Sequence, residues 1–125
     1  MTEENRPELQ RILARIAPGW PEVIEVNPGW FPLLEHLDEK LAQIAPDYVV
    51  LQCKSKFGSL SFYAQPSADP EVHIESFTET IRAAEWESTR LCELCGSPAR
   101  QYTIHLWSWT LCSEHARLIA DGAEG

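Results

Sequence analysis

Four residues near the C-terminus have the types and the spacing of a metal site. Two residues separate Cys92 from Cys95, two separate Cys112 from His115, and sixteen lie between the pairs. Thiolates and imidazoles are ligands that zinc prefers, and a structural zinc site takes four of them in a tetrahedron. The two tight pairs therefore predict a Cys3His zinc site. Reduced cysteines without a metal and an iron–sulfur cluster are the alternatives.

The number of donors predicts that this zinc is structural. Catalytic zinc usually has three protein ligands and keeps one position open for water, whereas four side chains fill every position here. Three thiolates also leave the zinc complex with a net charge of about −1, which makes it a poor Lewis acid. We therefore expect no catalytic residue and no enzymatic activity.

Three enzymatic interpretations are disfavoured by the residues around the candidates. A His-Asn-His nuclease would need an Asp–His or Asn–His constellation beside His105, and none is nearby. A zinc deaminase would need Pro-Cys-x-x-Cys after the pair His73 and Glu75, but Leu91 precedes the first cysteine. A cysteine hydrolase would need an isolated nucleophile on a sharp turn, whereas Cys53 falls mid-strand and is expected in the core.

The residues around the four donors predict the elements that hold them. Gly96 allows the chain to bend back after Cys95, so that backbone N–H groups point at the sulfurs. Residues 99–111 are rich in strand formers and are long enough for two short strands. A helix starting near Ser113 would place Cys112 and His115 on one side of its first turn. Knuckle, hairpin and helix in this order are the arrangement of a treble-clef zinc finger.

Upstream of the metal site, the hydrophobic pattern predicts helix, helix, hairpin and helix. Helices are predicted over 7–17, over about 31–44 and from Pro70 to about residue 90, with Asp69 as the cap of the third. Residues 48–65 alternate as two strands around Gly58. No β-α-β alternation occurs, so we expect an α+β fold with helices packed on a small antiparallel β-hairpin or sheet.

The predicted organisation is one core with a small appended unit. Residues 1–91 are expected to form the α+β core, with residues 1–6 disordered. Residues 92–125 are expected to form the zinc-binding unit, packed on that core.

Finer expectations concern side chains of the core. Trp20 and Trp30 both follow Pro-Gly and are expected to pack beside turns. The polar face of the second helix, residues 35–40, is expected to be solvated. Val49, Leu51 and Cys53 are expected to share one face of their strand.

Three aromatic residues of the zinc-binding unit are candidates for binding a partner: Tyr102, Trp107 and Trp109. Trp107 and Trp109 fall on one face of an alternating strand, and His105 on the same face is expected to pack or to form a hydrogen bond. We expect this face to pack on residues 1–91, with a partner surface as the alternative.

The net negative charge of the chain disfavours some classes of binding partner. The chain has 125 residues and a net charge of −9, and residues 92–125 hold two basic residues against four acidic ones. This balance disfavours direct binding to nucleic acid and to anionic membranes, and it suits a basic protein partner. The polar N-terminus and the lack of a run of about 18 apolar residues predict a cytoplasmic protein.

Three stretches together resemble a group of small, largely uncharacterised proteins of bacteria and their phages: GWFPLLEHLDEKL, VVLQCKSKFGSLSFY and CELCG with TLCSEH. The resemblance covers residues 29–116 and includes all four predicted zinc ligands. It implies an accessory protein associated with phages or mobile elements, and it brings no activity. The predicted function is a non-enzymatic protein-interaction role. A nucleic-acid-linked zinc-finger regulator that acts with a partner subunit is the alternative.

Overall fold

A computed structural model describes residues 7–122 of the chain, which form four α-helices and five β-strands. The elements are α1 (Pro7–Ala14), β1 (Ile24–Glu25), α2 (Phe31–Ile44), β2 (Val49–Lys56), β3 (Ser59–Gln65), α3 (Glu75–Ser88), β4 (Arg100–Ile104), β5 (Trp107–Leu111) and α4 (Ser113–Ala120). The predicted α+β class is confirmed. The expected disorder of residues 1–6 lies outside the described residues.

The strands form two separate sheets. In the larger sheet β1 pairs parallel to β2, and β2 pairs antiparallel with β3. The second sheet is the antiparallel hairpin of β4 and β5. The two-residue strand β1 was not predicted, because it is too short to show a period in the sequence. No helix within residues 7–122 is long and apolar enough to cross a lipid bilayer.

The main core lies between the three-stranded sheet and helices α1, α2 and α3. The predicted apolar stripes of α2 and α3 face this core. The stripe residues that are buried are Phe31, Leu34, Leu37, Leu41, Phe77, Ile81 and Ala84. The existence of these two helices, and the face that each buries, therefore follow from their hydrophobic period.

Helix α1 ends at Ala14, three residues before its predicted end. The next residues pair with the sheet instead of continuing the helix. Val50 donates its N–H to the carbonyl of Arg15, and Ala17 donates its N–H to the carbonyl of Val50, both at 2.9 Å. Backbone hydrogen bonds to β2 therefore replace those of the last helical turn.

The expectation of a solvated polar face on α2 is wrong at Asp38, which is only 2% exposed. Its carboxylate accepts hydrogen bonds from the Tyr48 hydroxyl at 2.6 Å and from Arg15 Nε at 3.2 Å. Arg11 Nε donates to the same carboxylate at 3.2 Å. Partners from α1, from the segment that follows it and from the loop before β2 thus compensate the burial of this carboxylate.

The expected face of β2 is also wrong, because the strand is irregular. The pairing with β3 shifts between Val50 and Gln52, and Val50 and Cys53 are the residues buried in the core. An extra residue of this kind reverses the alternation of the strand, so Leu51 no longer shares the face of Cys53. The core position of Cys53 is confirmed, and its burial raises the pKa of the thiol to about 12.

Helix α3 begins at Glu75 and not at Pro70. Asp69 caps a local turn instead: its carboxylate accepts from the N–H of Glu71 at 2.9 Å, and its carbonyl accepts from the N–H of Val72 at 3.2 Å. The helix then covers the free edge of β3. The N–H groups of Leu60 and Phe62 donate to the Ser88 hydroxyl at 2.9 Å and to the Glu85 carboxylate at 3.0 Å.

Candidate metal centre

The first pair of candidate ligands lies on a tight knuckle that directly follows α3. Cys92 donates its N–H to the carbonyl of Ser97 at 2.8 Å, and Gly96 donates its N–H to the carbonyl of Cys92 at 2.8 Å. Gly96 has a φ of +81°. Glycine adopts this conformation at little steric cost because it has no Cβ. The bend predicted after Cys95 is therefore present.

The second pair lies at the start of α4. Cys112 is the N-cap of this helix, and its Sγ accepts a hydrogen bond from the N–H of His115 at 3.5 Å. The helix starts at Ser113, as predicted. Since one helical turn separates the two side chains, Cys112 and His115 lie on the same side of the helix.

The structure brings all four donors together, with their ligand atoms within 4.8 Å of one another. Cys95 Sγ lies 3.8 Å from Cys112 Sγ. His115 Nδ1 lies 3.6 Å from Cys92 Sγ and 3.3 Å from Cys112 Sγ. A tetrahedral zinc with ordinary bond lengths separates two sulfurs by about 3.8 Å and a sulfur from a nitrogen by about 3.6 Å. The spacing therefore fits one zinc-sized ion, with Nδ1 as the histidine donor.

The local environment distinguishes the thiols of this group. Burial raises the pKa of Cys92 above its ordinary value. Two hydrogen bonds with Ser97 lower the pKa of Cys95 to about 6; the bond with the Ser97 side chain has the larger effect and the bond with its backbone the smaller. Because the thiolate is the form that binds a metal, Cys95 is prepared for coordination near neutral pH.

The knuckle packs against the turn Pro28–Trp30 at the start of α2. Gly29 donates its N–H to the carbonyl of Glu93, and Trp30 Nε1 donates to the carbonyl of Leu91, both at 2.8 Å. A Cβ at position 29 would overlap the carbonyl of Cys92. Trp30 is buried beside this turn as expected, whereas Trp20 is 41% exposed, so the expectation for it is wrong.

Glu93 is a buried residue of the centre that the sequence did not indicate. Its carboxylate accepts hydrogen bonds from the N–H of Thr110 at 2.8 Å and from the Ser55 hydroxyl at 3.4 Å. Its own N–H donates to the carbonyl of Thr110 at 2.9 Å. Burial is the main cause of the raised pKa of Glu93. A glutamate inside Cys-x-x-Cys normally suggests a solvated side chain, and no local signal distinguishes this one.

The turn between β2 and β3 forms a second contact, between the core and the β4–β5 hairpin. Gly58 has a φ of +78°, as its predicted place in the turn requires. Its carbonyl accepts hydrogen bonds from the Thr110 hydroxyl and, at 3.5 Å, from the Gln101 amide. The polar face of β4 and β5 is thus the face that meets the core.

Tyr102, Trp107 and Trp109 share the opposite face of the hairpin. Tyr102 pairs with Trp109 in register, and Ile104 pairs with Trp107. Contrary to expectation, this face does not pack on residues 1–91. Tyr102, Ile104 and Trp109 pack instead against a small cluster that includes Ile119 of α4. The polar face is the one that hydrogen-bonds to the core, so the aromatic face turns toward the helix of its own unit.

The end of this hairpin is exposed. Leu106 is 98% exposed and Trp107 is 65% exposed. His105 and Leu106 form the tight turn with φ values of 52° and 67°, so the expected packing of His105 is wrong: its side chain is exposed. Beside the turn, a groove of about 380 Å³ is lined by Ile104, His105, Trp107, Trp109 and Ile119.

The other candidates of the enzymatic alternatives lie apart from this centre. His73 is exposed in the loop before α3, and Cys53 is buried in β2. Within residues 7–122, the four donors are the one group of three or more His, Cys, Asp or Glu side chains close enough to share an ion.

Comparisons of the chain with protein-family models, with curated proteins and with solved structures find no match. The resemblance to small bacterial and phage proteins therefore rests on the sequence stretches alone.

Proposed function

We propose that Cys92, Cys95, Cys112 and His115 bind one structural Zn²⁺, and that the chain is a non-enzymatic protein-interaction protein. The observation that carries the metal assignment is the set of distances between the four donors, all within 4.8 Å. These distances suit a single ion, because a cluster of several iron atoms spreads its cysteine ligands further apart. The four side chains fill a tetrahedral shell, which supports a structural role for the metal.

The small size of the second core explains why a metal is needed. The buried side chains that join β5 and α4 to the knuckle are few: Cys92, Leu111, Ala116 and Ile119. A cluster of this size does not hold a hairpin and a short helix in place by burial alone. Structural zinc contributes about 10 kcal/mol or more of binding free energy, which becomes folding free energy when the apo site is unformed.

The end of the β4–β5 hairpin is the surface that we assign to a partner. Trp107 and Leu106 are large, apolar and exposed, and they stand beside the groove lined by Trp109 and Ile119. Tryptophan at the centre of an apolar patch is a common anchor of protein interfaces. The net charge of −9 favours a basic partner, because opposite charge speeds the encounter.

The biological setting is also part of the proposal. A cytoplasmic location is consistent with cysteines that serve as ligands instead of forming disulfides. The association with phages or mobile elements follows from the sequence resemblance. The acidic charge gives no support to the nucleic-acid-linked alternative.

Two measurements on the purified chain test this function. Elemental analysis is expected to find one zinc per chain, and Cys112→Ser is expected to lose it. Cross-linking in a bacterial extract is expected to yield a partner that Trp107→Ala loses. Trp86→Ala is the matched control, because Trp86 is 64% exposed but lies on α3. A partner lost equally from both variants, or zinc absent from the wild type, would contradict the proposal.

A further inference from the structure

The three cysteines of the metal centre differ sharply in their access to solvent. Cys92 is fully buried, Cys112 is partly buried and Cys95 is exposed. Cys95 also lines an open groove together with Gly29 and His36. Small solutes therefore reach the sulfur of Cys95 before they reach the other sulfurs of the centre.

Cys95 has a second thiol within reach. Its Sγ lies 3.8 Å from the Sγ of Cys112, which belongs to the other half of the site. A disulfide bond is about 2.0 Å long, so closing it requires the two sulfurs to approach by about 2 Å. Cys112 is the N-cap of α4 and begins the helix that carries His115, so this approach would pull on the second pair of donors.

We propose that Cys95 is a modification site for hydroperoxides and that Cys112 is the thiolate that resolves the modification. In the first step the Cys95 thiolate attacks the peroxide: an S–O bond forms, the O–O bond breaks, and hydroxide leaves from hydrogen peroxide or alkoxide from an organic hydroperoxide, so that Cys95 becomes a sulfenic acid. In the second step the Cys112 thiolate attacks that sulfur: an S–S bond forms, the S–O bond breaks and hydroxide leaves. Two electrons pass from the two thiolates to one peroxide.

The disulfide would remove two of the four donors from the centre. A pair of remaining donors, Cys92 and His115, is too few for a structural zinc site. Oxidation would therefore release the ion and loosen the hairpin that presents Trp107. This inference rests on the proposed function, since it assigns a regulatory chemistry to the same site.

The test uses the zinc-loaded full chain, hydrogen peroxide and a chromogenic zinc chelator. We expect release of one equivalent of zinc, a Cys95–Cys112 disulfide in the peptide map, and recovery of the site with dithiothreitol and zinc. Dimedone applied at early times should label Cys95 on the order of tenfold faster than the buried Cys53. Cys53→Ala is the matched control and should release zinc at the wild-type rate.

A second variant separates the two roles. Cys112→His keeps four possible donors but lacks the resolving thiolate, so dimedone labelling of Cys95 should persist and the cross-link should be absent. If this variant does not hold zinc, the deciding measurement is whether dimedone labels Cys95 before Cys53 in the wild type. A wild-type Cys92–Cys95 disulfide would overturn the inference, as would equal labelling of Cys53 and Cys95.

The outcomes also distinguish this inference from the proposed function. A chain purified without zinc contradicts the proposed function, and the cross-link is then mapped on the same sulfurs in the apoprotein. The peroxide is shown to be active by its oxidation of a small-molecule thiol in a parallel sample. If the zinc-loaded chain keeps its metal under the same conditions, only the peroxide chemistry is contradicted.

Discussion

The N–H of Gly29 donates a hydrogen bond to the carbonyl of Glu93 at 2.8 Å, and this contact joins the start of α2 to the knuckle of the metal centre. The two backbones approach so closely that position 29 has no room for a side chain. Trp30, the next residue, adds a hydrogen bond to the carbonyl of Leu91. The knuckle that carries Cys92 and Cys95 is thus joined to the core by one main-chain hydrogen bond and one from the Trp30 indole.

Gly29→Ala is expected to destabilise the protein and weaken zinc binding. The added Cβ would lie 2.6 Å from the backbone carbon of Glu93, so the knuckle must move. Overpacking against a rigid backbone costs about 3 kcal/mol. Urea unfolding and zinc titration measure the two effects.

Gly19→Ala is the control for this substitution. No heavy atom lies within 4 Å of a Cβ at Gly19, and only the positive φ of +90° opposes the change. We expect a loss of about 1 kcal/mol and unchanged zinc affinity. Equal effects of the two alanines would show that the close approach at Gly29 is unimportant.

Glu93→Ala is expected to lower the free energy of unfolding by about 2 kcal/mol, because it leaves the buried N–H of Thr110 without an acceptor. The substitution also removes the link from the knuckle to Ser55 of β2. Thermal or urea unfolding followed by tryptophan fluorescence measures the loss. Glu79→Ala on the exposed side of α3 is the control and should change stability by less than about 0.5 kcal/mol. A Glu93→Ala protein as stable as this control would contradict the assigned role.

Cys53 should make stability depend on pH in the alkaline range. Burial raises the pKa of its thiol from 9.0 to about 12, so the unfolded chain loses this proton at lower pH than the folded chain does. The contribution of the Cys53 thiol to the free energy of unfolding is complete below pH 9. It is lost as the pH rises toward 12, at a slope of up to about 1.4 kcal/mol per pH unit.

Urea unfolding at pH 8 and pH 10 tests this linkage in the wild type and in Cys53→Ala. Tyr48, whose pKa is raised chiefly by burial and least by the neighbouring Cys53, contributes in both proteins, so the difference between them reports mainly on Cys53. The wild type should lose more stability between the two pH values than the variant. Parallel losses would contradict the linkage.

Features that depend on local spacing were predictable from the sequence. The apolar stripes of α2 and α3 repeat with the helical period, and the bounds of α2 agree closely with the prediction. The four donors are brought together because each pair lies within one short turn of the chain. Only the way in which the two turns face each other had to come from the fold.

Features that depend on contacts between distant residues were not predictable. Asp38 occupies a polar stretch of α2, yet Arg15 and Tyr48 surround it because the segment after α1 and the loop before β2 pack there. The irregularity near Leu51 shifts the strand without any glycine or proline to mark it. Alternation correctly placed Trp107 and Trp109 on one face, but it contains no information on whether that face meets the core or α4.

X-ray absorption at the zinc edge of the purified protein identifies the atoms that hold the metal. We expect one zinc per chain with three sulfur neighbours at about 2.3 Å and one nitrogen neighbour at about 2.0–2.1 Å. Loss of one sulfur neighbour in Cys95→His, with zinc retained, would support the assignment further. A zinc shell made only of oxygen and nitrogen, or a folded chain without any bound metal, would contradict it.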